Sequence, residues 1–337
     1  MDHEMELRLA VDMGSGATKT ALLQVNKANN TIYQVLKEAS FEYKYQECIS
    51  TSPDSKTLTK QCQDEGIHLM RSIKDYYRVD SLQVKMGGFA TAWARNAENA
   101  QEYLQKLEGE GFHIVKISQM KEGELGYTAT MQCLAAQHKP ITHALVWDIG
   151  GGSFQLDITY DSKFHVYEGA YGAGNFAAEA RKAINKSSGL LNHTEAEAIK
   201  TWAFDKICPS LKTDTLVSGN TTEDISVYGI GKLMNAGLHS LVNTDYITHS
   251  DVLGLIDYFA EHSQTELHNA FPRLKTEFIE ESQTNLIMVN AIMESACINQ
   301  INFLEGAHAT YAIAVENCAM LTEGCDIWND QYYNNYS

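Results

Sequence analysis

Leu7-Arg8-Leu9-Ala10-Val11-Asp12-Met13-Gly14-Ser15-Gly16 and Ala144-Leu145-Val146-Trp147-Asp148-Ile149-Gly150-Gly151-Gly152-Ser153 read alike. Each is an apolar run ending in an aspartate and a glycine turn, and each is followed by a second β-compatible run, Thr20 to Val25 and Phe154 to Thr159. The order strand, aspartate, tight turn, strand thus occurs twice, with Asp12 and Asp148 136 positions apart, which predicts an internal duplication. Glycine removes the Cβ barrier, so successive N–H groups can converge on a phosphate, and an aspartate at a strand end can hold a hydrated Mg²⁺. One such turn is an ordinary hairpin. Two copies, one in each half of the chain, point to two jaws closing on one phosphate chain.

Working outward, Thr31 to Leu36 reads as a third strand. The apolar residues between Thr57 and Asp75 fall at helical spacing. Gln83 to Met86 is a strand running into Gly87-Gly88, Ala90 to Leu107 a single helix, and His113 to Ile117 a strand. Ser118 is placed to cap a helix from Met120 to Gln137. In the second half, helices are expected over Asn175 to Ile184, Glu195 to Phe204, Lys232 to Leu241, Ser250 to His262, Thr284 to Gln300 and Ala309 to Leu321, with a strand at Ile225 to Tyr228. Between that strand and Lys232 lies Gly229-Ile230-Gly231, where free N–H groups at a helix start and the Lys232 ammonium would bind an anion. An ordinary strand-to-helix turn fits the same residues. From Trp328 the tail is rich in Asn and Tyr and reads as a loosely ordered end packed on one lobe.

The 337 residues are 44 % hydrophobic with 4 Pro, a composition for about two globular lobes. A net charge of −17 argues against nonspecific adhesion to nucleic acid or to anionic membrane, since either needs a basic surface. No apolar run approaches the roughly 18 residues needed to cross a bilayer, and no targeting segment is visible, so the expected location is the cytoplasm. The 7 cysteines form no C-x-x-C pair and are expected as reduced, mostly buried thiols. The 12 histidines include no zinc-hydrolase spacing. Ser15 and Ser153 lie outside G-x-S-x-G, which favours hydrogen bonding to phosphate over nucleophilic catalysis.

Four segments in order carry a family resemblance: Asp12-Met13-Gly14-Ser15-Gly16, Ala90 to Asn99 with Arg95 inside it, Ile117 to Tyr127 with Glu122 inside it, and Val146 to Ser153. Together the chain resembles the exopolyphosphatase and guanosine pentaphosphate phosphatase (Ppx/GppA) family, within the actin-like ATPase, sugar kinase and Hsp70 superfamily. The resemblance implies an α/β protein of two duplicated ribonuclease-H-like domains with an interdomain cleft, residues 1–122 with 308–337 and residues 123–307. Glu122 then falls at the catalytic glutamate, which suits a carboxylate that orients or deprotonates the attacking water. Arg95 falls at a phosphate-binding arginine, whose fork matches phosphate oxygens. Asp148 is the implied metal ligand for Mg²⁺ or Mn²⁺, with Asp12 holding metal-bound water. Gly14, Ser15, Gly16, Gly150, Gly151, Gly152 and Ser153 would bind phosphates, and Lys19 would offset their charge.

The sequence departs from the family pattern at Gln155, where the family carries a glutamate after the second turn, and at His308-Ala309, where it carries an arginine. The expected reaction is release of terminal phosphate from short-chain polyphosphate or guanosine pentaphosphate by a homodimer. Two alternatives belong to other classes: an ATP-dependent small-molecule kinase of the same superfamily, and a non-catalytic sensor of guanosine tetra- or pentaphosphate.

Overall fold

The computed structural model describes residues 5–79, 83–139, 143–160, 162–213, 225–316 and 327–328. They divide into two compact units, residues 1–129 with 308–337 and residues 130–307.

The first unit is built on a five-stranded sheet of order β3-β2-β1-β4-β5, with β1 Met5–Met13, β2 Ala17–Asn26, β3 Thr31–Glu42, β4 Val84–Ala90 and β5 His113–Lys116. β1, β2 and β3 are successive antiparallel neighbours, while β4 and β5 add in parallel. Central β1 is covered on both faces, so its apolar residues run without alternation. Leu9, Val11 and Met13 pack with Trp93, Tyr103 and the helix Lys60–Tyr77. Ala10, with Ala21 and Leu23 of β2, faces Leu125, Ile313 and Trp328. The helix Ala309–Ala314 is held there by Arg8, whose guanidinium donates to Ala314 O at 2.6 Å, and by the Trp328 indole, which donates to Ile313 O at 2.8 Å. Trp328 is therefore a core residue of this unit; Tyr332, Tyr333 and Tyr336 lie outside the described residues.

The second unit repeats the plan. Its six-stranded sheet has the order β10-β11-β9-β6-β7-β8, with β6 Ala144–Ile149, β7 Phe154–Tyr160, β8 Lys163–Gly169, β9 Ser226–Ile230, β10 Tyr246–Thr248 and β11 Gln300–Phe303. Read from β8, three antiparallel strands are followed by parallel β9 and β11, as in the first unit, and β10 closes the edge. The duplicated α/β class expected from the two glycine turns is what these sheets display.

Several local expectations are corrected. Ala90 to Leu107 is not one helix but two, Ala92–Asn96 and Ala100–Gly109. Ala97 is extended because Glu98 N–H donates to Lys56 O at 2.9 Å and the Asn99 amide grips both the N–H and the C=O of Leu58. The expected helix Lys232 to Leu241 is a π turn, Leu233–Gly237, followed by a 3₁₀ turn, Leu238–Leu241, divided where Gly237 leaves helical geometry. The helix expected from Thr284 spans Ile279–Ser295 and ends where Cys297 adopts φ 53° and Ile298 N–H reaches back to Met293 O. β11 follows, starting at Gln300, the last residue of the expected helix.

The reduced-thiol expectation fails at Cys48 and Cys62, which form a disulfide. Of the free cysteines among the described residues, Cys133 is half-buried and Cys297 exposed. Among the described residues no helix is long and apolar enough to cross a membrane.

Candidate active site

The two glycine turns are built alike. In each, the N–H of the first glycine donates 3.0 Å to a carbonyl three residues on, Gly14 to Ala17 and Gly150 to Ser153. The strand registers correspond as well: Asp12 lies opposite Lys19 across β1–β2, and Asp148 opposite Gln155 across β6–β7. All of these pairs are related by the same offset of 136 positions, so the duplication holds residue by residue through turn and flanking strands.

In the first unit, three candidate residues follow the carboxyl ends of adjacent parallel strands, where open α/β sheets place their ligands. The Asp12 turn follows β1, Arg95 follows β4, and Glu122 follows β5. The Met13 carbonyl ties the first two strand ends together, because it accepts from Thr91 N–H at 3.2 Å and from the Trp93 indole at 2.8 Å. Ser118 caps the helix Gln119–Ala136 through Lys121 N–H at 3.1 Å and so places Glu122 in its first turn.

Arg95 and Glu122, chosen separately from the sequence, form an ion pair of 2.8 Å with each side chain about one-fifth exposed. Arg95 Nη1 also donates to Ile117 O at 3.3 Å, which aims the guanidinium along the β5 end. Only 6 % of Ser15 is exposed, and among the described residues its Oγ has no hydrogen-bond partner. A hydroxyl buried without a partner is costly and marks a place where a polar ligand would be welcome. Lys19 Nζ stands 3.9 Å from Asp12 Oδ2. Burial of the Asp12 carboxyl pushes its pKa up, and the Lys19 charge pulls part of that back.

In the second unit the turn is held from behind. Gly150 O accepts from Ala173 N–H at 2.9 Å, Gly151 O from Gly174 N–H at 3.0 Å, and Gly152 O from Asn175 Nδ2 at 2.9 Å. Those carbonyls are directed at the start of the helix Ala173–Ala183, which fixes the turn against it. Gly172 makes this contact possible, since a Cβ there would lie 2.4 Å from Gly150 O and 2.5 Å from Gly152 N. Gly231, at φ 94°, closes in from β9; a Cβ on it would meet Ile149 O at 2.6 Å and Asp148 Oδ1 at 3.1 Å. Gly231 thus serves close approach to Asp148, whereas Gly229 makes room for Ile301 and Met234. Lys232 is exposed, and its ammonium lies 5.1 Å from the centre of the Phe278 ring.

Gly172 and Asn175 were missed in the sequence, although Gly172-Ala173-Gly174-Asn175 is a second glycine cluster that follows a strand. Gln46, whose N–H donates to Ser15 O at 3.2 Å, carried no signal, because its role depends on a contact 31 residues away.

The family model described as the Ppx/GppA phosphatase family matches residues 24–308. Among solved structures, the Ppx/GppA enzyme of Aquifex aeolicus is 16 % identical, with a TM-score of 0.68 over 93 % of this chain and 100 % of that one. An exopolyphosphatase from Cytophaga hutchinsonii is 13 % identical, with a TM-score of 0.65 over 90 % of this chain and 96 % of that one. An exopolyphosphatase-like protein gives 13 % identity and a TM-score of 0.69. At these identities the likeness shows the fold. No curated protein sequence matches this chain.

Proposed function

Because this chain belongs to the Ppx/GppA phosphatase family, we propose that it hydrolyses the terminal phosphoanhydride of short-chain inorganic polyphosphate or of guanosine pentaphosphate. The observation that carries the reading is the Arg95–Glu122 pair, set at the same strand-end edge as a glycine turn with a buried, unpartnered serine hydroxyl.

In this reading Glu122 orients a water and takes its proton as the oxygen attacks the terminal phosphorus. The bridging P–O bond breaks, and the shortened chain leaves as an anion. Arg95, by holding Glu122 at 2.8 Å, fixes the carboxylate and sets a positive charge beside the phosphoryl oxygens. Ser15 Oγ supplies a neutral hydrogen bond to a further oxygen, and Lys19 balances its charge. Among the described residues no group of three or more His, Cys, Asp or Glu side chains is arranged to hold a metal. The donor set at Asp148, one carboxylate opposite the neutral Gln155, fits Mg²⁺ arriving with substrate phosphates, because that ion takes one or two protein carboxylates and keeps waters. Bound there, Mg²⁺ would neutralise phosphate charge.

The test is phosphate release by the purified protein with Mg²⁺ and polyphosphates of several lengths, beside guanosine pentaphosphate and beside labelled ATP with small acceptors. Release to water supports the reading. Label carried to an acceptor would replace it with a kinase.

A further inference from the structure

We propose that Cys48 and Cys62 are a reversible thiol–disulfide site whose redox state sets the affinity of the Ser15 turn for phosphate. The consequence for phosphate rests on the functional reading above; the redox site stands apart from it.

The disulfide joins the short helix Tyr45–Ser50 to the helix Lys60–Tyr77. Cys48 and Cys62 are only half-buried, so a small thiol or disulfide can reach them. Their Cα atoms are 6.2 Å apart, within the span a disulfide bridges. The reduced form is also provided for. Tyr43 spends its own hydroxyl proton on Cys62 O at 2.7 Å, which leaves its oxygen 3.7 Å from Cys48 Sγ to accept from a thiol.

What the disulfide holds is a direct support of the candidate site. Gln46 N–H, at the start of the Cys48 helix, donates to Ser15 O at 3.2 Å. The Gln46 side chain accepts from Asn96 Nδ2 at 2.9 Å, one residue beyond Arg95. Tyr45 stacks on Trp93 with ring centres 4.5 Å apart and interplanar angle 19°, and the same indole donates to Met13 O. A helix of six residues has little stability of its own, so tying it to an eighteen-residue helix restrains the peptide that carries Ser15. Once the bond is reduced, that restraint is lost.

The exchange balances with a low-molecular-weight disulfide such as oxidised glutathione. One protein thiolate attacks it and expels one glutathione thiol; the second protein thiolate then attacks the mixed disulfide, expels the other, and forms the Cys48–Cys62 bond. Two electrons pass from the protein sulfurs to the small disulfide, and both protons are carried away by the released thiols.

The experiment poises the full-length protein at a series of glutathione to oxidised glutathione ratios, blocks free thiols with N-ethylmaleimide and counts labels by peptide mass. Cys48 and Cys62 are expected to gain and lose label together while Cys133 and Cys297 stay labelled. Tripolyphosphate affinity, measured by calorimetry on the two end states, should be at least about fivefold weaker in the reduced protein, the low end of typical site-to-site coupling. Cys48→Ser should show the weak affinity at every ratio, and the comparison on the native chain stands even if that variant folds poorly. Labels that do not move across the series, or equal affinities in the two states, overturn the proposal. Redox-dependent affinity without any phosphate release would overturn the hydrolase reading and leave this one in place.

Discussion

Replacing Gly172 with alanine tests whether the Gly150–Ser153 turn is held from behind by the helix start. The new Cβ would lie 2.4 Å from Gly150 O, 2.5 Å from Gly152 N and 2.6 Å from Gly151 C, all of them backbone atoms that cannot rotate away. Ordinary contact begins near 3.4 Å, so turn and helix start must separate by about 1 Å. That lengthens the bonds from Ala173 N–H, Gly174 N–H and Asn175 Nδ2, now 2.9, 3.0 and 2.9 Å, beyond hydrogen-bonding range. Three lost bonds at about 1 kcal/mol each come to about 3 kcal/mol, the upper end of what overpacking costs. For a unit of this size that lowers the midpoint of its thermal transition by roughly 6–12 °C. A displacement of about 1 Å in a binding turn also reduces turnover by about 10²-fold. Scanning calorimetry and phosphate release on the same preparation read both effects. Gly254→Ala is the control: nothing lies within 4 Å of its Cβ, and it sits inside the helix His249–Glu261, so it should gain about 0.5–1 kcal/mol. A Gly172→Ala protein that melts within a degree of the parent and releases phosphate at the parent rate would refute the reasoning.

Three further outcomes follow from single residues. Glu122→Gln keeps an oxygen for Arg95 but no base for water; phosphate release should fall about 10²- to 10⁴-fold with the circular dichroism unchanged, and retained activity would remove Glu122 from the mechanism. Lys121 is fully buried between Glu124 and Glu316, each 2.8 Å away; Lys121→Met leaves two buried carboxylates without their cation and should cost about 3–5 kcal/mol in denaturant unfolding, so an unchanged midpoint would show that the triad is dispensable. Asp12 carries a pKa raised above 3.8, chiefly by desolvation. The folded state therefore binds its proton more tightly than the unfolded chain, and its contribution is most favourable below 3.8 and is lost as pH rises through the folded value. Asp12→Asn should accordingly unfold at higher urea than the parent at pH 7, in chelator, with the gap closing as pH falls toward 3.8; a gap independent of pH contradicts this.

The chain itself declared its duplication, because the requirement is local. An apolar run, an aspartate and a glycine turn dictate strand and hairpin through neighbouring residues, and the 136-position offset carries from Asp12 and Asp148 through to Lys19 and Gln155. Ser118 as a helix cap is equally local. Contacts remote in sequence were decided by tertiary structure. Asn99 gripping Leu58 broke a run of good helix formers, and the helix Ile279–Ser295, buried on nearly every side, has no amphipathic stripe to mark its start. The pairing of Cys48 with Cys62, of Arg95 with Glu122, and of Gly172 with the second turn likewise came from chain segments that meet only once strands and helices have packed. Spacing along the chain encodes which backbone conformation a residue favours, whereas the partner of a sulfur, a guanidinium or a Cβ-free surface is set by the core that brings them together.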